Sequence, residues 1–424
     1  MEKKVIRAAL LGFGTVGTGV YKVLEKQKEE MIPKLGSQLE ISKILVRNLQ
    51  KAASKVKNPE ILTNNWDEIV KDPEIDIVIE LIGGIEPART YILDALNAGK
   101  HVVTANKDLI AAHGKELLDA AEANHVDFLF EAAVAGGIPI IRPLKQCLAG
   151  NEISEVMGIV NGTTNYILTK MFEENMSFEA ALAKATELGY AEADPTADVE
   201  GLDAGRKAAI LSSIAFHSRV QFKDVYTEGI TKITAEDIAY AKEFDCVIKL
   251  LAVAHNTDKG IEVGVYPVLL GKEHPLSSVR DSFNAVFVHG DAVDDAMFYG
   301  RGAGEMPTAS AVVGDVIDVA RNLQFGCNGR ISCTCYQDLP VKPFDEVKNK
   351  FFLRMQPGVL AKVASVFGGH KVSIRRVVQK HVQEEAAELV ISTEKVKEYH
   401  IKDALRELQK MDSISEISSM IREY

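Results

Sequence analysis

An apolar run, Val5–Leu11, ends in Gly12-Phe13-Gly14-Thr15-Val16-Gly17, and beyond it Val16, Val20, Val23 and Leu24 recur at helical spacing. Few folds accommodate a strand, a glycine turn and a helix in that order. The first glycine permits a tight turn, the second lets a pyrophosphate approach the backbone, and the third allows the helix to pack closely on the strand. The helix N-terminus then faces the phosphates. Alone, G-x-G-x-x-G is a weak signal, but here its context strengthens it. Ile41–Val46, Ile75–Ile82, His101–Thr104 and Asp127–Phe130 read as further strands, with helices around Trp66–Val70, Pro87–Ala98 and Leu109–Ala123. That alternation predicts an α/β chain opening with a doubly wound parallel sheet of Rossmann type that binds a dinucleotide. The second strand of such a unit normally delivers a carboxylate to the adenosine ribose; here it ends in Arg47, with Lys51 nearby. An arginine there suits a 2′-phosphate and favours NADP over NAD, with both open.

A second stretch carries chemistry. Gly189–Leu211 reads G-Y-A-E-A-D-P-T-A-D-V-E-G-L-D-A-G-R-K-A-A-I-L, with Glu192, Asp194 and Asp198 crowded ahead of a helix expected to begin near Glu200. On that helix Asp203, Lys207, Ile210, Leu211 and Ile214 share one arc, because side chains three and four apart are neighbours. The lysine therefore sits on the apolar stripe, one turn from a carboxylate. An arbitrary Asp/Lys pair at this spacing is a surface pair worth about 0.3–0.5 kcal/mol. The apolar neighbours and the acidic cluster upstream favour a proton-transferring pair instead.

Two turns in the first half lie where a doubly wound sheet binds ligands. Thr104-Ala105-Asn106-Lys107 follows a strand, so Lys107 can reach a substrate oxygen or the nicotinamide region. Glu131-Ala132-Ala133-Val134-Ala135-Gly136-Gly137-Ile138-Pro139 is a small-residue turn whose carbonyls suit a cation, or whose role is only to let the chain cross tightly. From about Gly150 the pattern changes. Ile153–Val160 reads as a strand, Asn161-Gly162-Thr163-Thr164-Asn165 as a capping turn before a helix near Tyr166, and Ser177–Leu188 as a helix closed by Gly189. Strands at Val247–Ala254, Ile261–Leu269 and Ala285–Val288 predict a mainly antiparallel sheet. The turn Gly300-Arg301-Gly302-Ala303-Gly304 precedes a helix at Thr308–Arg321. Residues 322–348 read as a linker, and Phe351–Met355, Val359–Phe367, Val372–Val378, Ala387–Ser392, Val396–Met411 and Ile414–Ile421 give βαββαβ, a ferredoxin-like domain. The expected organisation is a nucleotide-binding domain over 1–135, a central α+β catalytic and dimerisation domain over 136–321, the linker, and a small domain over 349–424.

Composition narrows the class. A formal charge of −11 over 424 residues speaks against nucleic acid or an anionic membrane as partner, no apolar run is long enough to span a bilayer, and the expected location is the cytoplasm. Five cysteines make no disulfide framework. Cys147 and Cys246 are expected in the core, and Cys327, Cys333 and Cys335 as reduced thiols that are neither ligands nor catalysts, since no fourth zinc ligand stands at suitable spacing.

With these residues assembled, the chain resembles homoserine dehydrogenases that carry a C-terminal ACT domain. The resemblance rests on G-F-G-T-V-G, T-A-N-K, E-A-A-V-A-G-G-I-P, G-Y-A-E-A-D-P with D-V-x-G-x-D-A-x-R-K, and G-R-G-A-G-x-x-P-T-A-S-A-V, and covers nearly the whole length. It implies reversible NAD(P)H-dependent reduction of L-aspartate 4-semialdehyde to L-homoserine, on the route to threonine, methionine and isoleucine. Lys207 matches the proton-transferring lysine, Asp203 its carboxylate, and Lys107 a second lysine at the reacting oxygen. Glu192 and Asp198 match residues that hold the substrate's amino end. Phe13, Thr15, Val16, Gly189 and Gly304 lie where the family contacts the nucleotide, with Gly12, Gly14, Gly17, Arg47, Lys107 and Glu192 also expected to border it. Glu131, Val134, Gly136 and Ile138 match a monovalent-cation loop, sodium being the expected ion. Where some relatives have two adjacent acidic residues, this chain has Ala197-Asp198, so that contact rests on Asp198. F-F-L-R-M-Q-P-G-V-L looks like the start of an ACT domain, whose Pro-Gly turn begins an effector site; Gln356 replaces the usual acidic or Asn residue before it. The resemblance implies threonine as effector and a homodimer or homotetramer. Aspartate semialdehyde dehydrogenase is a rival, but it needs a cysteine nucleophile that no active-site turn supplies. A non-catalytic NADP-binding amino-acid sensor is the rival from another class.

Overall fold

The computed structural model describes residues 5–331, 333–357, 360–382, 386–412 and 414–424. The chain forms two compact units. The first comprises residues 1–153, 209–222 and 284–338, the second 154–208, 223–283 and 339–424.

The first unit is built on a parallel sheet of β1 (Val5–Leu11), β2 (Gln38–Leu45), β3 (Leu62–Thr63), β4 (Ile77–Glu80), β5 (His101–Thr104) and β6 (Phe128–Leu129) in the order β3-β2-β1-β4-β5-β6. Strand β1 is central, and Ile6, Ala8, Ala9, Leu10 and Leu11 are all buried. A continuous apolar run suits a strand covered on both faces. Chain order reverses between β1 and β4, which sets the nucleotide crevice at the carboxyl ends of those strands.

The three glycines after β1 differ as the motif requires. Gly12 has φ +92, and a Cβ there would stand 2.8 Å from the Leu81 carbonyl oxygen; at Gly17 it would stand 2.2 Å from the Gly12 oxygen. At Gly14 it would meet nothing within 4 Å, so that position keeps open space rather than close packing. Gly14 caps the helix Thr15–Lys26 with no side-chain bond, leaving first-turn N–H groups for an anion.

A helix from late in the chain completes this core. Glu305–Phe325 runs three residues further back and four further on than the expected Thr308–Arg321, from Gly304 at φ +119 to a left-handed Gly326. It packs on Thr15–Lys26 at Gly19, where a Cβ would lie 2.7 Å from the Glu305 oxygen. Val312, Val313, Val316, Val319 and Ala320 join the core of the parallel sheet. Asp294–Arg301 is a strand that the periodicity does not predict; D-D-A-M-F-Y-G-R is exposed or half-exposed throughout, and its four apolar residues do not alternate with polar ones.

The second unit holds a largely antiparallel sheet of β7 (Ile153–Ile159), β8 (Cys246–Thr257) and β9 (Gly260–Gly271), continued by β10 (Lys348–Pro357), β11 (Ile374–Val382), β12 (Ala386–Thr393) and β13 (Ile414–Glu423) in the order β7-β8-β9-β13-β10-β12-β11. With the helices Leu360–Gly369 and Glu398–Leu408, β10 to β13 make the expected βαββαβ domain. Its core includes Phe351, Leu353, Val363, Phe367, Ile391, Ile401 and Leu408. The turn at Gly358 and Val359 lies outside the described residues.

This domain does not stop at its own edge. Strand β13 pairs in parallel with β9 through Val268 with Arg422 and Leu269 with Glu423. Arg422 is 1% exposed. Its guanidinium donates to both carboxylate oxygens of Glu398 at 2.7 and 3.0 Å and to Glu228 at 2.7 Å. The rings of Tyr226, Tyr266 and Phe344 lie 4.5–5.1 Å from it. Arg354 makes a second such tie, donating at 3.0 Å to Asp237, Glu388 and Thr234. Of residues 322–348, the first four finish the helix ending at Phe325, and single bridges join Gln337 to Ser218 and Val341 to Ile261.

Two cysteines depart from expectation: Cys147 is exposed and Cys246 half-buried. Cys147 ends a one-turn π-helical segment at the surface, and Cys246 opens β8, where the strand is not yet covered.

Arg422→Leu should lower unfolding free energy by about 3–5 kcal/mol, because it leaves the fully buried Glu398 without its bidentate partner. Urea denaturation checks this, and a loss below about 1 kcal/mol would show that Glu398 finds another partner.

Candidate active site

The residues with catalytic promise in the second unit converge on Asn161. Strand β7 ends at Ile159, and Asn161 caps the helix Gly162–Glu174, which starts four residues before the expected Tyr166. The side chain does more than cap. Its Oδ1 accepts from the N–H and the hydroxyl of Thr164, both at 2.9 Å, while its Nδ2 donates to Asp198 at 2.7 Å and to Asp203 at 2.9 Å. Two acceptor sites and two donors use the amide's full capacity, and only one orientation of the amide allows it. Two carboxylates are thereby held side by side on one NH2 group.

Asp203 and Lys207 lie on the helix Leu202–Ala215, which begins two residues after the expected start. Lys207 Nζ donates to Asp203 Oδ2 at 2.6 Å and to the Val160 carbonyl at 2.8 Å. The lysine side chain is 13% exposed and the aspartate 11%, so the pair is nearly but not wholly withdrawn from solvent. Ile210, Leu211 and Ile214 on the same helix are buried, as the stripe predicts. An ammonium has three donors; these two contacts engage two of them among the described residues.

The approach to this cluster is more open. Gly189 has φ +75 with nothing near its Cβ position, and Glu192 and Asp194 are exposed. Tyr190 is steadied by the Thr163 hydroxyl, which donates to its carbonyl at 2.6 Å, and by ring contact with Tyr166. Thus Asp198, Asp203 and Lys207 are brought together, while Glu192 stands apart on the exposed segment that leads to them.

In the first unit, Gly12 to Gly14 form the turn after β1 and Thr15 to Gly17 open the helix Thr15–Lys26; Phe13 and Val16 are half-buried, Thr15 is exposed, and Arg47 is exposed just past β2. Lys107 opens the helix Lys107–Ala123, capped by Asn106, whose amide also donates to the Gly84 carbonyl at 2.7 Å. Behind it stands a carboxylate that the sequence does not mark. Glu80, fully buried at the end of β4, accepts from Thr104 and from the N–H groups of Ile82 and Gly83, fixing both loops at the edge of the crevice. In a run reading I-V-I-E, a terminal Glu carries no signal of burial.

The turn at 131–138 is also specified by its interior. The Glu131 carboxylate accepts from the N–H groups of Ile140, Ile141 and Arg142 at 2.5–2.8 Å, and its own N–H donates to Asp315. Ala135 and Gly136 both have positive φ, and a Cβ on Gly136 would stand 2.1 Å from the Gly302 oxygen. Burial pushes the Asp315 carboxyl up to about 7, against the opposing pull of Arg142. No group of three or more His, Cys, Asp or Glu side chains able to hold a metal occurs among the described residues.

Known proteins similar to this chain cover nearly its whole length. Residues 12–131 match the model of the homoserine dehydrogenase NAD-binding domain, 139–317 that of homoserine dehydrogenase, and 352–412 that of the ACT domain. The homoserine dehydrogenase of Bacillus subtilis is 44% identical over 99% of this chain and 98% of its own length, and that of Corynebacterium glutamicum 47% over 98% and 94%. The crystal structure of a homoserine dehydrogenase from Thiobacillus denitrificans superposes with a TM-score of 0.95 at 42% identity, over 100% of this chain and 99% of that one. A hyperthermophilic archaeal homoserine dehydrogenase in complex with NADPH gives 0.64 at 27% identity, over 74% of this chain and 97% of its own. The chain thus belongs to the homoserine dehydrogenases, NAD(P)-dependent oxidoreductases, and carries a C-terminal ACT domain.

Proposed function

We propose that the chain reduces L-aspartate 4-semialdehyde to L-homoserine in the cytoplasm, reversibly, with NADP preferred to NAD, as a homodimer or homotetramer restrained by threonine. The observation that carries the catalytic reading is Lys207: a nearly buried ammonium aligned by Asp203 and the Val160 carbonyl, with a third donor to offer. The glycine turn fits a dinucleotide, since Gly14 keeps its space open while Gly12 and Gly17 have none to spare. The nicotinamide, when bound, supplies the hydride.

Lys207 gives the proton to the carbonyl oxygen as it becomes an alkoxide, and Asp203 holds the lysine in place. Lys107 takes the role of stabilising the charge on that oxygen, carried over from the resemblance. Asp198 and Glu192 bind the substrate's ammonium. Asn161 positions rather than reacts, because it keeps Asp198 and Asp203 at a fixed separation. Phe13, Thr15, Val16, Gly189 and Gly304 border the nucleotide, and Arg47 meets its 2′-phosphate. In the turn at 131–138 the Glu131 carboxylate is committed to three N–H donors. The main-chain oxygens of Glu131, Val134, Gly136 and Ile138 are then the donors for a sodium-like ion, hard ligands of the kind such an ion takes.

Lys207→Ala should fold, bind NADP and lose about 10²–10⁴ in turnover, the usual worth of a positioned acid. Spectrophotometric assay with homoserine and NADP decides, and near-normal turnover would remove Lys207 from the mechanism. Arg47→Ala should raise the KM for NADPH far more than that for NADH, since only the former offers a phosphate to the guanidinium. Equal changes would free Arg47 from that role.

A chain ending at residue 348 should retain turnover but lose inhibition by threonine, since an effector acts through its differential affinity for states that its domain distinguishes. An archaeal homoserine dehydrogenase that matches over 74% of this chain and 97% of its own length supports a shorter catalytic part. The truncated chain should also melt lower, having lost Arg422 from Glu228 and β13 from the edge of β9. Undiminished threonine sensitivity would put the effector site in the catalytic part.

A further inference from the structure

In the first unit a cavity of about 220 Å³ is lined by Ile110, Phe130, Ile214, Lys145, Arg219 and Cys333, together with Cys335. Nothing in the catalytic reading uses it. Its thiols are set in a segment stitched to residues 213–217: Gln337 N–H donates to the His217 carbonyl at 2.8 Å, Tyr336 stacks on His217 at 4.8 Å, and Cys335 Sγ lies 3.4 Å from the Ser213 carbonyl oxygen. Arg219 Nη2 donates to Cys333 Sγ at 3.4 Å. Lys145, its ammonium over the Phe130 ring, is the second cation of the cavity. Lys115 also lines the cavity but pairs with Asp119.

We propose that Cys333 is a peroxide-reactive cysteine whose oxidation closes a disulfide with Cys335. Reactive thiols are half-exposed, have cations beside them and often stand near a resolving cysteine. Cys333 meets all three conditions, being half-buried and hydrogen-bonded by the Cys335 thiol. That hydrogen bond, then the Cys335 N–H and the charges of Arg219 and Lys145, hold Cys333 well below the ordinary thiol range against the cost of burial. The same bond, with burial, pushes Cys335 up, so Cys333 carries the anion and Cys335 keeps the proton. Burial lowers Lys145, with the two cysteines, Asp315 and Glu131 opposing the shift.

The chemistry balances with a hydroperoxide as oxidant. The Cys333 thiolate attacks one peroxide oxygen; the O–O bond breaks, an alcohol or water leaves after taking a proton, and Cys333 becomes a sulfenic acid. The sulfur of Cys335 then attacks the sulfenic sulfur, the S–O bond breaks, and hydroxide leaves as water with the proton that Cys335 releases. Two thiols lose two electrons and the peroxide gains them.

The test uses the intact enzyme. With iodoacetamide at pH 6.5, mass spectrometry of the peptides should show Cys333 alkylated at least about tenfold faster than the exposed Cys327, and Arg219→Gln should narrow that gap. Hydrogen peroxide at low excess should remove two hydrogens from the peptide holding Cys333 and Cys335, and Cys335→Ser should instead give a dimedone adduct on Cys333. Cys333→Ser should abolish both products while dehydrogenase activity stays within about twofold. Alkylation of Cys333 no faster than of Cys327, or peroxide treatment that leaves both thiols free, would overturn the proposal.

Discussion

Two carboxylates and one ammonium cannot be drawn together away from water unless each finds fixed partners. Around Asn161 that requirement shapes everything nearby. The amide must point its NH2 at Asp198 and Asp203, so its oxygen must face Thr164, which starts the helix Gly162–Glu174 at the residue after Asn161. Lys207 must then reach past Asp203 to the end of β7 for its second acceptor. One side chain thus fixes where a strand ends, where a helix begins, and how two acidic segments approach. The arrangement tolerates little relaxation, which is what a proton donor needs if its distance to a reacting atom is to be the same in every turnover.

Much of this was legible in the residues. The glycine turn after Val5–Leu11 announced the parallel sheet because three backbone approaches demand glycine or open space, and those demands leave a trace in sequence. The Asp203/Lys207 pair was legible because helical spacing is local. What could not be read is whatever depends on long-range partners. Asn161 looks like a helix cap, and it is one, but nothing in N-G-T-T-N tells that its amide spans 37 and 42 residues to two carboxylates. Glu80 and Asp315 are silent for the same reason: a buried carboxylate and a surface one are spelled alike.

Domain boundaries met a related difficulty. Periodicity finds where a βαββαβ pattern starts and stops, yet it is blind to Arg422, an ordinary charged residue near the C-terminus that lies among three aromatic rings and two glutamates. Its burial is legible only once Tyr226, Tyr266 and Phe344 are known to converge there. The helix Glu305–Phe325 is a further case, since its apolar face belongs to a sheet laid down some 300 residues earlier in the chain.

The meeting of β13 with β9 has a mechanical meaning. From β13 the ladder runs through β9, paired along its whole length with β8, and from β8 to β7 by way of Glu155 with His255 and Gly158 with Ala252. Two residues past Gly158 is Val160, whose carbonyl steadies Lys207. A sheet transmits shear poorly along a loose coil but well across hydrogen-bonded rungs, so the last strand of the chain and the acceptor of its reactive lysine belong to one elastic body. Between Arg422 and that single oxygen atom the path crosses only hydrogen-bonded strands, with no linker on the way.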